Sequence, residues 1–116
     1  MANNIAFQPM GNCVAVSVTG AANTQSNIYT LTATSPVNQY YIVNDSPNNN
    51  IYVWISSSNS FNVALPQTTS TQVVPLPAYG YRVITGPQVS STANVYARVI
   101  GDGANATCYV TPGEVL

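Results

Sequence analysis

Hydrophobic residues recur at every second position along most of this chain, and that period leaves few folds open. Val14, Val16 and Val18 alternate with small or polar residues, as expected for a strand that buries one of its faces. No stretch of ten or more residues has the spacing of three and four that is typical of an amphipathic helix. The sequence therefore predicts an all-β protein with essentially no helix.

Clusters of turn-forming residues divide the chain into short segments that fit strands. These predicted strands cover residues 13–19, 28–33, 39–44, 51–56, 61–65, 73–76, 81–85, 94–100 and 106–111. Segment 73–76 contains one proline and is followed closely by another, and proline cannot donate to a ladder, so we expect an edge strand there. The number and length of the segments predict a single antiparallel β-sandwich of about eight strands, of the jelly-roll type.

Two of the loops have the composition of hairpin turns. Residues 45–50 read Asp-Ser-Pro-Asn-Asn-Asn, and residues 101–105 read Gly-Asp-Gly-Ala-Asn. Asp, Asn and Gly tolerate left-handed backbone, which tight hairpins require. We therefore expect the third and fourth predicted strands to form one hairpin and the last two to form another.

The predicted domain spans residues 13–111, between an extended N-terminal arm at 1–12 and a C-terminal tail at 112–116. Neither a secretory signal nor an apolar run of membrane-spanning length is recognisable, so we expect no membrane partner. Without export, reduced thiols are expected for Cys13 and Cys108. Both fall in the first and last predicted strands, which often neighbour one another in β-sandwiches, and a disulfide therefore stays open.

Charge is almost absent, and this excludes most kinds of chemistry. The charged residues are Asp45, Arg82, Arg98, Asp102 and Glu114, and there is no histidine or lysine. Acid–base catalysis usually recruits those missing side chains or paired carboxylates, and non-specific nucleic-acid binding needs many cations. Asp102 and Asn105 could donate oxygens to a weak calcium site, but a tight turn explains both residues. We expect no enzyme, no cofactor, no metal and no nucleic-acid partner.

The same composition favours association with other proteins. The net charge is −1, and proteins near zero net charge tend to associate, so we expect a homo-oligomer. Arg82 and Arg98 fall in predicted strands, and arginine is enriched at interface hot spots. Both are therefore candidate interface residues, although an exposed arginine beside an acidic residue is an equally good interpretation.

The aromatic side chains are spaced for sheet faces, where packing is their ordinary role. The residues in question are Tyr40, Tyr52, Trp54, Tyr81, Tyr96 and Tyr109. Aromatic faces with amide side chains nearby can also bind sugar rings, so carbohydrate binding is a second hypothesis.

Several segments carry a resemblance to a known family. They are Ile-Ala-Phe-Gln-Pro-Met-Gly at 5–11, Tyr-Ile-Val-Asn at 41–44, Tyr-Val-Trp-Ile at 52–55, Val-Ile-Thr at 83–85 and Cys-Tyr-Val-Thr-Pro-Gly-Glu at 108–114. The two terminal segments resemble the ends of small virion proteins of tailed bacteriophages, and the others resemble that family's central hairpin and a later strand. The cysteines at 13 and 108 and the asparagines at 48–50 depart from its usual pattern.

The resemblance implies a capsid decoration, or cement, protein that binds the major capsid protein on the outside of the head. Such a protein is made in the cytoplasm of the host bacterium, becomes part of the virion, is commonly a β-sandwich and often a trimer, and has no catalytic residues. Phe7, Pro9 and Met10 would then form an arm that reaches a neighbouring subunit, unless the arm folds onto its own sandwich. A neck, tail or fibre component and a carbohydrate- or receptor-binding β-sandwich are the alternatives.

Overall fold

The computed structural model describes residues 6–18, 24–65, 72–103 and 105–115. They form nine strands: β1 (Phe7–Pro9), β2 (Val14–Val18), β3 (Tyr29–Leu31), β4 (Val37–Asn44), β5 (Ile51–Ser56), β6 (Val74–Leu76), β7 (Tyr81–Val89), β8 (Val95–Gly101) and β9 (Ala106–Val115). Within these ranges no helix is long and apolar enough to cross a membrane.

The strands form two packed antiparallel sheets, which confirms the predicted all-β sandwich. In the first sheet β9 lies beside β4, and β7 lies on the far side of β4. The other side of β9 pairs with β1 near one end and with β2 near the other, so these two strands form one interrupted edge. The second sheet has the order β3-β8-β5-β6.

The alternation of the sequence explains how the core between the sheets is built. In β4, Tyr40 and Ile42 are fully buried while Tyr41 between them is half-buried, and β5 repeats this alternation with Ile51, Val53 and Ile55 on the buried side. Most of the other core positions are valines. They include Val16, Val18, Leu31, Val37, Leu76, Val89, Val95, Ala97, Val99, Ala106, Cys108 and Val110.

The two predicted hairpins are wrong, because each loop carries the chain from one sheet to the other. β4 belongs to the first sheet and β5 to the second, and β8 and β9 are divided in the same way. The two loops bind each other: the Asp102 carboxylate accepts hydrogen bonds from the backbone N–H and the side-chain amide of Asn50, at 3.0 Å each. Turn-forming residues serve such a crossing as well as they serve a hairpin.

The first sheet extends beyond residues 13–111 at both ends. β1 lies within the expected arm and pairs with β9, and β9 continues through the expected tail to Val115. The backbone N–H of Met10 also donates to the carbonyl of Pro112, at 2.9 Å. The residues from Phe7 to Met10 are thus folded onto their own sandwich, where they complete hydrogen bonds that β9 would otherwise leave open.

The structure also tests the predictions for the edge strand, for residues 61–65 and for the two cysteines. β6 is an edge strand, as predicted from its prolines. Residues 61–65 form no strand and instead lie over the outer face of the second sheet, where Phe61 packs against Trp54. Cys13 and Cys108 lie in or beside the neighbouring strands β2 and β9, and both thiols are free. Burial raises the pKa of the Cys108 thiol to about 12.

Candidate interaction surfaces

The outer face of the first sheet carries a row of aromatic rings. Tyr41 lies between the buried residues Tyr40 and Ile42, so its side chain points away from the core. Its ring centroid lies 5.6 Å from that of Phe7 and 6.2 Å from that of Tyr81, and both pairs meet edge to face. Edge-to-face contacts of this kind stabilise aromatic clusters.

Gly113 makes this row possible. It lies in β9, between the strands that carry Phe7 and Tyr41. A Cβ atom at this position would lie 2.5 Å from the Phe7 ring. Because glycine has no side chain, the Phe7 ring can cross β9 and reach Tyr41.

We call the whole outward surface of the first sheet the aromatic face. Besides the three stacked rings it includes apolar residues and one more phenol: Pro9, Val43, Val83, Tyr109 and Val115. Tyr81 remains 55% exposed and Val115 45% exposed, so the face is open to solvent in the single chain. Contiguous exposed surface of this kind marks interaction sites in soluble proteins.

The aromatic face is also neutral. Arg82 lies opposite Ile42 and Glu114 lies opposite Gln8, which places both on the alternate set of positions. Asp45 lies just beyond β4 at the border of the face, and its carboxylate accepts a hydrogen bond from the Tyr109 hydroxyl at 3.3 Å. This carboxylate raises the pKa of the Tyr109 phenol. A partner could therefore cover the three stacked rings of this face without desolvating an ion.

The outer face of the second sheet, by contrast, is largely covered by loops. Ile100 points outward yet is only 3% exposed, because the segment around Gln25 bridges to it. The backbone N–H of Val63 donates to the Gln25 side-chain carbonyl at 2.9 Å, which holds a second segment in place. The two faces of the sandwich thus differ, and the first sheet carries the open one.

The two candidate arginines have different environments. The Arg98 guanidinium donates to the backbone carbonyls of Ser26 and Phe61, at 2.6 Å each, and so binds both covering loops to the second sheet. Arg82 lies on β7, is exposed, and forms no ion pair with the described residues. Of the arm residues, Phe7 and Pro9 lie on the aromatic face, whereas Met10 packs against the core. The structure thus brings only two of the five predicted site residues together.

A groove of about 380 Å³ opens between the two sheets, beside their edge strands β6 and β7. β6 is short and pairs only with Ile51–Val53, so this strand does not cover the rest of β5 along the edge. We call this cavity the edge groove. The described residues that line it include no charged residue, and they are Val53, Trp54, Ile55, Ser56, Ser57, Gln72, Val74, Ile84, Thr85, Gly86 and Pro87.

Sequence reasoning noted Trp54 but missed the groove, because its walls come from strands of different sheets. A local signal existed in Gly86-Pro87, where β7 continues although the dipeptide is typical of a turn. The buried Tyr40 ring packs directly beneath Gly86, and its hydroxyl donates to the carbonyl of Pro87. Burial raises the pKa of Tyr40 to about 12. The Tyr40 side chain therefore holds this wall of the groove in place from the core side.

Among the described residues, no group of three or more histidine, cysteine or acidic side chains could hold a metal ion. Comparison with known sequences gives no family: neither a protein-family model nor a curated protein matches the chain.

Proposed function

We propose that this chain is a non-enzymatic structural protein of a virion, which decorates the outside of a tailed-phage capsid and cements its major capsid subunits. The aromatic face carries the proposal. It is open, neutral and rich in tyrosine, the composition that protein interfaces favour at their centres. The resemblance of both chain ends to small phage virion proteins supplies the identity of the partner.

The connectivity of the strands supports this proposal. When β1 and β2 are counted as one interrupted strand, the sheets have the orders 2-9-4-7 and 3-8-5-6. We infer a jelly roll from this arrangement of two four-stranded sheets. Jelly rolls occur in viral capsid proteins and in lectins, so the fold is compatible with a virion protein, but a fold alone does not determine function.

The energetics of cementing suit such a face. A protein that binds only the assembled lattice stabilises it by mass action, by about 2.7 kcal/mol per site at a concentration of 100 times Kd. Covering the rings of Phe7, Tyr41 and Tyr81 removes apolar area from water, and no ion has to be desolvated. We expect a homo-oligomer, with a trimer favoured, in which each copy presents this face to the capsid.

Binding of the purified protein to undecorated capsids tests the proposal. We expect Tyr81→Ser to weaken binding by about 30-fold, which corresponds to the loss of a hot spot of about 2 kcal/mol. Tyr52→Ser is the matched control, because Tyr52 is a half-buried tyrosine on the outer side of the opposite sheet. Equal binding by both variants would reject the aromatic face as the docking surface.

The location of the protein in the particle tests the role itself. In an electron cryo-microscopy map of the phage that encodes this chain, we expect the sandwich on the outer surface of the head, in contact with the major capsid protein. Density at the neck, tail or fibres instead would assign it to another virion component. Absence of the chain from the purified particle would refute the proposal.

A further inference from the structure

We propose that the open edge of β7 binds an extended acidic peptide segment of another protein. The segment pairs with residues 81–85 as an added strand and places a carboxylate beside Arg82. This site is an edge of backbone groups, whereas the aromatic face consists of side chains, so it is a second interaction surface. Its test needs only the purified chain and peptides, and it does not rest on the proposed capsid docking.

The ladder between β4 and β7 shows which backbone groups of β7 are open. In an antiparallel ladder, the N–H and C=O groups of one residue point to the same neighbouring strand, and successive residues alternate between the two sides. The Asn44 N–H donates to the Gly80 carbonyl at 2.8 Å, so Arg82 and Ile84, two and four positions further on, also bond to β4. The residues whose N–H and C=O groups point away from β4 are Tyr81, Val83 and Thr85.

No other strand of the described chain covers these outward groups. β7 pairs only with β4 and is nine residues long, whereas the edge strands β3 and β6 have three residues each. Tyr81 and Thr85 are exposed, and Pro87 ends the usable stretch because it has no N–H and its carbonyl already accepts from Tyr40. An unpaired strand edge is a template for another chain, and residues 81–85 provide such an edge.

The side chains on the core side of β7 determine what the added strand must carry. Arg82 lies opposite the inward residue Ile42, yet it is exposed at the sheet edge and forms no ion pair with the described residues. Ile84 points the same way, packs against the core and lines the edge groove. A peptide residue opposite Ile84 would therefore enter the groove and should be apolar. The residue opposite Arg82 should carry a carboxylate, which a guanidinium binds through paired hydrogen bonds.

A second copy of the chain fits this edge less well than an acidic peptide. If two β7 strands paired about Val83, Arg82 of each copy would lie opposite Ile84 of the other, on one face of the joined sheet. The two guanidinium groups would then belong to diagonal neighbours, which lie about 7 to 8 Å apart, and β7 contains no acidic residue to separate them. Charge complementarity thus favours a partner that brings the carboxylate itself.

Hydrogen exchange of the ¹⁵N-labelled full chain tests whether the edge is open. In the free protein the N–H groups of Tyr81, Val83 and Thr85 face solvent, so they should exchange at least about tenfold faster than those of Arg82 and Ile84. A bound peptide should slow the exchange of the first three N–H groups by about tenfold or more. This alternation along one strand is the signature of strand addition.

Selection from a library of random decapeptides supplies the probe. Sequences enriched on the immobilised full chain should alternate apolar residues with others, contain Asp or Glu on the inward set, and lack proline at their centre. The most enriched peptide is then synthesised and titrated into the labelled protein. We expect saturable shifts of the backbone signals of residues 81–85.

Variants connect peptide binding to the edge. Val83→Pro removes an outward N–H but no bond to β4, so it should weaken binding by about tenfold or more, the value of one hydrogen bond. Val83→Thr is the matched control, because it keeps the N–H and the branched shape, and it should change the affinity less than about threefold. Should Val83→Pro fail to fold, Tyr81→Pro removes a neighbouring outward N–H instead.

A charge exchange tests the role of Arg82. Arg82→Glu should weaken binding of the acidic peptide by about tenfold or more, because like charges then face each other. Replacing the acidic residue of the peptide with lysine should restore binding to Arg82→Glu but not to the wild type. A side chain with a merely structural role would not show this reciprocal preference.

Three results would overturn the proposal. One is the absence of any peptide that is enriched over a surface without the protein. Another is peptide binding that neither the proline variants nor the charge exchange alters. The third is exchange of the Val83 N–H in the free protein as slow as that of Ile84, which would show that the edge is already covered. A dimeric mass in light scattering that Val83→Pro abolishes would then identify a second copy as the occupant.

Discussion

Replacing Asn44 with alanine should destabilise the whole sandwich, although Asn44 is one polar residue at the end of a strand. Its side chain is fully buried. The amide nitrogen lies 2.8 Å from the carbonyl oxygen of Asn49, 3.2 Å from that of Leu76 and 3.0 Å from that of Pro77. The amide oxygen accepts from the backbone N–H of Ser46 at 2.8 Å. One side chain thus connects β4 of the first sheet to the end of β6 in the second.

The expected cost follows from counting these bonds. The amide has two N–H hydrogens for three carbonyl groups, so one hydrogen is shared, and its oxygen makes a further bond. Three hydrogen bonds at about 1 to 1.5 kcal/mol each give a loss of about 4 kcal/mol for Asn44→Ala. The buried groups that lose their partner are carbonyls and one N–H, which water cannot easily reach. For a chain of this size, Tm should fall by roughly 15 °C.

Asn44→Asp should be worse at neutral pH, because an ionised carboxylate cannot donate and would face three carbonyl oxygens. Burial would raise the pKa of this new carboxyl above its unfolded value of about 3.9. Its penalty is therefore smallest below that value and grows as the pH rises through the folded pKa. We expect Asn44→Asp to be less stable than Asn44→Ala at pH 7, with the difference narrowing at pH 4.

Urea denaturation followed by Trp54 fluorescence measures these free energies of unfolding. Asn38 supplies the controls, because it lies in the same strand and is exposed. Asn38→Ala and Asn38→Asp should each stay within about 0.5 kcal/mol of the wild type. A loss below about 1 kcal/mol for Asn44→Ala would refute the view that this amide holds the two sheets together.

Three further outcomes are expected. Arg98→Met should lower the free energy of unfolding by about 3 kcal/mol and speed proteolysis of the covering loops, because two charge-assisted hydrogen bonds are lost. Arg82→Met should change neither the stability nor the rate of proteolysis, and equal effects of the two variants would contradict these roles. At pH 8 a thiol reagent should label Cys13 alone in the native protein, because burial holds the pKa of the Cys108 thiol at about 12, and it should label both thiols in denaturant. Rapid labelling of two thiols in the native protein would contradict the burial of Cys108. Gly86→Ala should lower the free energy of unfolding by about 1 to 3 kcal/mol in thermal melts, because the new methyl group would crowd the Tyr40 ring. An unchanged Tm would count against close packing between Gly86 and Tyr40.

The sequence was sufficient for the class of fold and for most strands, because alternating valines and isoleucines bury one face in either sheet. It was insufficient for the path of the chain between sheets. The segment 45–50 has hairpin composition, and only the position of Asn44 argued otherwise. Asn44 shares the inward set with Tyr40 and Ile42, so its amide needed partners inside the fold. A polar residue at a core position was the available signal that the chain turns toward the other sheet.

The candidate surfaces were less predictable, since they depend on contacts between distant residues. Arg98 binds carbonyls that lie 72 and 37 positions away, and no local pattern indicates such partners. The aromatic face needed the register of β9, which brings Gly113 beneath Phe7. Spacing showed that tyrosines would lie on sheet faces, but not which of the two faces would stay open.

The pairing of Phe7 with Val115 has a practical consequence for anyone who attaches cargo to this protein. Phe7 and Val115 lie side by side at one corner of the aromatic face. A fluorescent protein or antigen joined at either position would crowd the surface proposed to meet the capsid. The exposed connection at 91–94, between β7 and β8, is a better insertion point for display, because it leaves that corner free.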